Sequence, residues 1–181
     1  MAHVTLPEGL PGITGLLAQF PETGKHLRGL AETLLRGPST LTPGERELIA
    51  SYVSHRNDCY FCTHSHSATA RHLLGDKASL VDEVQRDLST AGVSDKLRAL
   101  LVIAGKVQKG GRIVTDEDVA RARAHGADDK EIHDTVLIAA AFSMYNRYVD
   151  GLETWTPEDE AMYDQHGKQL AATGYLGSVG T

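Results

Sequence analysis

Apolar positions recur three and four residues apart along most of this chain, and no stretch alternates apolar with polar as a half-buried strand would. Ile13 to Phe20 predicts a short helix ahead of Pro21. Glu22 to Arg36 predicts a second, with Leu27, Leu30, Ala31, Leu34 and Leu35 in helical register and Gly37-Pro38 as its stop. Thr42-Pro43-Gly44-Glu45 is a strong helix start: Thr42 caps free amides, Pro43 suits the first helical position and Glu45 reaches back in a capping box. That helix runs to about Arg56. Leu48/Tyr52 and Ile49/Val53 are i, i+4 pairs on its apolar side, and Glu47 lies close to that side. Asn57-Asp58 breaks it, and a helix over Cys59–Leu74 follows, closed by Gly75-Asp76.

Beyond it, Ala78 to Leu88 predicts a helix ending near Gly92. Ser94 to Lys109 predicts another, with Leu97, Leu100, Leu101, Ala104 and Val107 as its buried stripe. Thr115 caps an acidic first turn in a helix that ends at Gly126. Asp128-Asp129-Lys130-Glu131 is a further capping box. The long helix it opens is apolar on nearly every side from Thr135 to Tyr145, which predicts burial all round, in part by another subunit. Thr156-Pro157-Glu158-Asp159 predicts the start of a final helix ending near Gly174. Residues 1–12 read as a lead-in arm, lying on a neighbouring subunit or on its own domain. Residues 175–181 read as a flexible tail. The expectation is an all-α fold, one domain over 1–181, with seven to nine helices.

The 181 residues suffice for a substantial core, and 41% hydrophobic with 23% charged residues is an ordinary globular balance. A net charge of −6 without any dense basic stretch argues against binding nucleic acid or an anionic membrane surface. The N-terminus lacks the basic-then-apolar order of a secretory signal, and no apolar run is long enough to span a bilayer. A soluble, cytoplasmic protein is expected. In that reducing compartment a Cys-x-x-Cys is catalytic or metal-binding more often than a structural staple.

The only two cysteines form that motif, Cys59-Tyr60-Phe61-Cys62, with His66 four residues further on. On a helix beginning near Asp58, Cys59 falls in the first turn, Cys62 one turn on and His66 on the same face. Helix N-termini lower thiol pKa values, and the thiolate is the reactive form. Dithiol redox chemistry is therefore the leading reading.

Leu41 to Ala50, the Cys-x-x-Cys and His66 resemble the AhpD-like alkylhydroperoxidases of the carboxymuconolactone decarboxylase family. Glu47, twelve residues before Cys59, and His66, four after Cys62, fit that family's spacing. The stretch from Lys96 to Leu152, with Asn146-Arg147-Tyr148-Val149-Asp150-Gly151-Leu152, looks like its peroxidase-related branch. The resemblance implies a dithiol peroxidase for organic hydroperoxides, with Cys62 the attacking and Cys59 the resolving cysteine. Glu47 and His66 would relay the proton of Cys62 through water. It also implies a thiol, lipoyl-bearing or thioredoxin-like electron donor and a homo-oligomer, often a trimer or hexamer, with no cofactor and no metal. The chemistry agrees in outline: a thiolate attacks the O–O bond, an acid protonates the leaving alkoxide, and a second thiol condenses with the sulfenic acid. Helix-end electrostatics favour Cys59 as the more acidic thiol, whereas a base at His66 favours Cys62. We take Cys62 as the attacker. Phe61 stands where the best-known members carry a histidine, and His64 points to another face.

Two other readings compete. Cys59, Cys62 and His66, with Glu47 or His64, make a zinc half-site without a second Cys-x-x-Cys. A non-redox relative, either a decarboxylase-type enzyme or an oligomeric interaction protein, would need no intact cysteine pair. His55, His64 and His72 read as surface or second-layer groups. Tyr60 and Phe61 read as packing or as an apolar approach, Asn146, Arg147 and Asp150 as helix caps or bridges, and Trp155 as packing near a turn.

Overall fold

The computed structural model describes residues 2–177. Among them are nine α-helices and no strand: α1 (Gly12–Gln19), α2 (Pro21–Arg36), α3 (Pro43–Arg56), α4 (Tyr60–Leu74), α5 (Leu80–Arg86), α6 (Asp95–Lys109), α7 (Asp116–Ala124), α8 (Asp129–Gly151) and α9 (Glu160–Thr173). Single 3₁₀ turns follow α4 and α6. The all-α expectation holds.

The capping signals act where they were read. Thr42, Thr115 and Asp128 each close a reciprocal capping box, and Ser94 accepts the Leu97 N–H. Two starts move. Asp159, not Thr156, caps α9, accepting the Ala161 N–H at 2.9 Å. Cys59 is the cap of α4 rather than a residue of its first turn. Asp58 stands at φ 57°, in left-handed backbone that a helix cannot include, so α4 begins at Tyr60.

Within the chain itself, the helix buried on all sides is α3. From Arg46 to Ser54 every residue of α3 is buried. Its apolar residues join Leu100, Leu101, Ile103, Ile138 and Phe142 in the main core. Most of its buried polar groups find partners within the chain. Arg46 donates to the carbonyls of Leu34 and Gly37, Ser51 pairs with Ser67 and Gln85, and Ser54 accepts from Asn146. Burial of such groups is tolerated only with partners, and the partners come from α2, α4, α5 and α8. In contrast, α8 leaves Leu137 36% and Met144 44% exposed. Those two side chains lie on the face of α8 that the chain's own core does not cover.

Around the Cys-x-x-Cys a second, smaller cluster gathers Cys59, Phe61, Cys62, Ala68, Val149 and Tyr163, with Ile13 packed against it. It lies where α4 is crossed by α9 and met by the end of α8. The crossing is close: a Cβ on Gly167 of α9 would stand 2.7 Å from Ala68 Cβ and 2.8 Å from the α4 backbone. The N-terminal arm lies on its own chain. The His3 N–H donates to Leu152 O at 3.0 Å, and the Gly12 N–H to Trp155 O at 2.8 Å. Of the stretch expected as a tail, Ser178–Thr181 falls outside the described residues.

Candidate active site

The turn from α3 into α4 aims the cysteines. Asn57 donates to Asn146 Oδ1 at 2.8 Å and accepts from Gln108 at 2.8 Å, while Asn146 donates to Ser54 at 3.0 Å. This network ties the turn to α6 and α8 and holds Asp58 in its left-handed conformation, and the chain re-enters a helix at Tyr60. Cys59 and Cys62 are both buried and both reduced. Cys62 is the third residue of α4, among the amides that lack an intrahelical partner. Its N–H and its thiol both reach the Cys59 sulfur, and the Asp150 carboxylate approaches Cys59 from α8. The hydrogen bond with Cys62 pushes the Cys59 thiol far up, followed by burial. Burial likewise raises the Asp150 carboxyl, and the Cys59 hydrogen bond tempers the rise.

Glu47 and His66 meet. Glu47 is fully buried, and its Oε2 lies 2.8 Å from His66 Nδ1. Its Oε1 accepts from Arg36 Nη2 at 2.7 Å and from the Tyr175 hydroxyl at 2.6 Å. Burial opposes ionisation of Glu47. The hydrogen bond and charge of His66, the charge of Arg36 and the Tyr175 hydroxyl more than offset it, and the carboxyl lies below its usual range. A carboxylate on Nδ1 places the ring proton there and leaves Nε2 as the free lone pair. Phe142 packs edge-on to the His66 ring, with centroids 4.6 Å apart, and fixes its plane.

His66 and Cys62, one turn apart on α4, line a cleft of about 70 Å³ with His166, Tyr145, Leu170 and Tyr175 among its walls. That is room for several waters or a small peroxide. The cleft shares Thr14, Arg28, Phe61, Ser65 and His166 with an outer vestibule of about 690 Å³, which Leu10, Pro11, Ala18 and Met162 make largely apolar.

Three residues of this arrangement were not singled out from sequence. Arg36 looks like an ordinary basic residue in a last helical turn. Tyr175 follows a glycine stop and lies 128 positions from Glu47. His166 sits on α9 with no local signal; burial first, then the charge of His66, lowers its pKa, with Glu47 opposing. Only tertiary packing brings them in. His166 supplies the cleft with an imidazole that position 61 lacks, since Phe61 is buried against Tyr163 and Gly12.

The remaining candidates scatter. His64 stacks on the Tyr60 ring at 3.8 Å and bonds Tyr60 O, away from the cleft. His72 pairs with Asp164, and His55 is exposed. Tyr60 and Trp155, read as packing, are 47% and 50% exposed. Glu47 has both oxygens committed, and among the described residues no three His, Cys, Asp or Glu side chains converge as metal ligands.

An all-α scaffold with a buried Cys-x-x-Cys at a helix start, beside a carboxylate–histidine pair, defines a class that the comparisons specify. The carboxymuconolactone decarboxylase family model matches residues 21–104. A Ralstonia eutropha peroxidase-related protein with an alkylhydroperoxidase AhpD core is 26% identical, with TM-score 0.77 over 87% of this chain and 81% of its own. A Silicibacter peroxidase-related protein is 25% identical, with TM-score 0.76 over 90% and 94%. An Agrobacterium tumefaciens protein, at 23% identity and TM-score 0.65 over 88% and 100%, shares the fold. A search of curated proteins finds no match. Residues 21–104 are thus similar to the carboxymuconolactone decarboxylase family, and the chain as a whole is similar to AhpD-like, peroxidase-related proteins.

Proposed function

We propose that this protein is a dithiol peroxidase that reduces organic hydroperoxides through Cys62 and Cys59. The observation that carries the reading is the shared cleft: Cys62 lines it together with His66, whose Nδ1 is held 2.8 Å from the buried Glu47. His66 Nε2 takes the Cys62 proton, across a distance that the cleft has room to bridge with water. The thiolate sulfur forms a bond to the terminal oxygen of the hydroperoxide as the O–O bond breaks. Cys62 becomes a sulfenic acid, oxidised by two electrons, and the alkoxide leaves as an alcohol with the proton returned from His66. Cys59 keeps its proton while Cys62 reacts, in keeping with the direction of its pKa. It then passes that proton to Asp150 and attacks the Cys62 sulfur. Hydroxide leaves, is protonated to water, and a disulfide remains. A thiol, lipoyl-bearing or thioredoxin-like donor returns the two electrons.

The test is free-thiol counting before and after one equivalent of cumene hydroperoxide, with cumyl alcohol measured in the same sample. Two thiols falling to none, with one alcohol formed, is the expected result. Thiols that persist through excess hydroperoxide would sink the reading.

A further inference from the structure

The walls of the cleft and vestibule carry one guanidinium and two imidazoles, and no carboxylate. Arg28, His66 and His166 line them, and no Asp or Glu is among the lining residues, in a chain whose net charge is −6. Glu47 stands behind His66 with both its oxygens engaged. Arg28 belongs to both spaces, on the α2 side of their junction. It is half-buried, and among the described residues it has no carboxylate partner and no hydrogen bond. Burial lowers its pKa without an acid to offset the effect, unlike Arg46, which several carboxylates support. Charged side chains are seldom withdrawn from water without a partner, so the Arg28 guanidinium is available to an anion in the vestibule.

A second group points the same way. Ser65, one turn from Cys62 on α4, is 3% exposed and lines both spaces, yet its hydroxyl meets no partner among the described residues. A buried hydroxyl is nearly always satisfied, within its own helix if nowhere else. An unpaired hydroxyl donor and an unpaired guanidinium at one junction, with apolar walls outside and a thiol inside, describe a receptor for an amphipathic anion.

We propose that the substrates are organic hydroperoxides bearing a carboxylate, held by Arg28 and Ser65 at the junction of cleft and vestibule. This rests on the peroxidase reading for its chemistry, but the anion subsite itself does not. The hydroperoxide group enters the cleft toward Cys62, and the apolar body of the molecule lies along the vestibule wall.

The experiment compares cumene hydroperoxide with its para-carboxylate, following thiol loss at equal concentrations in the purified protein and in Arg28→Gln and Arg28→Lys. Binding of unreactive 4-isopropylbenzoate is measured in parallel by calorimetry. A charge-assisted hydrogen bond supports a preference of about tenfold for the carboxylate in second-order rate. Arg28→Gln brings the ratio near one and abolishes 4-isopropylbenzoate binding, and Arg28→Lys keeps part of both. Equal rates for the two hydroperoxides, or a preference that survives Arg28→Gln, overturn the proposal and leave the peroxidase reading standing. If neither hydroperoxide consumes thiols, the peroxidase reading falls. In that case 4-isopropylbenzoate binding lost in Arg28→Gln sustains the anion subsite, and its absence in the parent overturns that as well.

Discussion

Replacing Glu47 by glutamine changes almost no volume and removes one charge, so its effect isolates what the carboxylate does. Glu47 is fully buried, and the side chains of Arg36 and His66 are each 12% exposed, so solvent screens these contacts little. The orientation of the new amide is forced. Its oxygen must face Arg36 Nη2 and the Tyr175 hydroxyl, both donors now 2.7 and 2.6 Å from Oε1. Its NH₂ then faces His66 Nδ1, which must accept instead of donate. The ring proton moves to Nε2, the nitrogen left for the cleft, and His66 can no longer take the Cys62 proton. Loss of a positioned general base costs about 10²–10⁴ in rate, and about 10²-fold is expected here because solvent base partly substitutes. Arg36 also loses its counter-charge, and breaking a buried pair costs about 3 kcal/mol. Stopped-flow measurement of thiol oxidation by cumene hydroperoxide reads the first effect, and urea unfolding reads the second. The two proteins should converge in rate at alkaline pH, where hydroxide takes the thiol proton without help from His66. A Glu47→Gln protein that reacts at pH 7 within threefold of the parent would refute the reasoning, whatever its stability.

Three further outcomes follow from the same geometry. The pKa of His166 is lowered in the folded state, so folding holds it neutral. Its contribution to stability is complete above the unfolded value of about 6.5 and is lost as pH falls from there through the folded value. The melting temperature should therefore drop between pH 7 and pH 5, and His166→Gln should flatten that slope; Glu47, held low, adds its own loss only below about pH 4.3. Tyr175→Phe removes a donor to a buried carboxylate and should lower stability by about 1.5–3 kcal/mol, read as a shift in urea midpoint at unchanged slope. Gly167→Ala places a methyl against the α4 backbone, so α9 must move away. We expect a cost of about 1–3 kcal/mol and, because His166 precedes it, faster alkylation of Cys62 by N-ethylmaleimide.

Local sequence alone determined much of this protein. Helix starts and stops were legible because capping boxes at Thr42, Thr115 and Asp128 and glycines at the helix ends act within a few residues and need no distant partner. The Cys-x-x-Cys and the register of His66 were legible for the same reason, since helical periodicity converts spacing into a shared face. The exact start of α4 was not, because it depends on Asp58 being held in left-handed backbone by its neighbour Asn57, which Gln108 of α6 and Asn146 of α8 hold in turn. Nor was the complete burial of α3. Hydrophobic pattern ranks faces by composition, whereas burial depends on how many neighbours a helix has. The polar residues of α3 are buried because partners on four other helices satisfy most of them. Tertiary structure alone decided that Arg36, Glu47, His66 and Tyr175 form one charged cluster, and that Arg28, Ser65 and His166 face one cleft. Those contacts span up to 128 positions in the chain, and no local preference of a side chain encodes a partner at that distance.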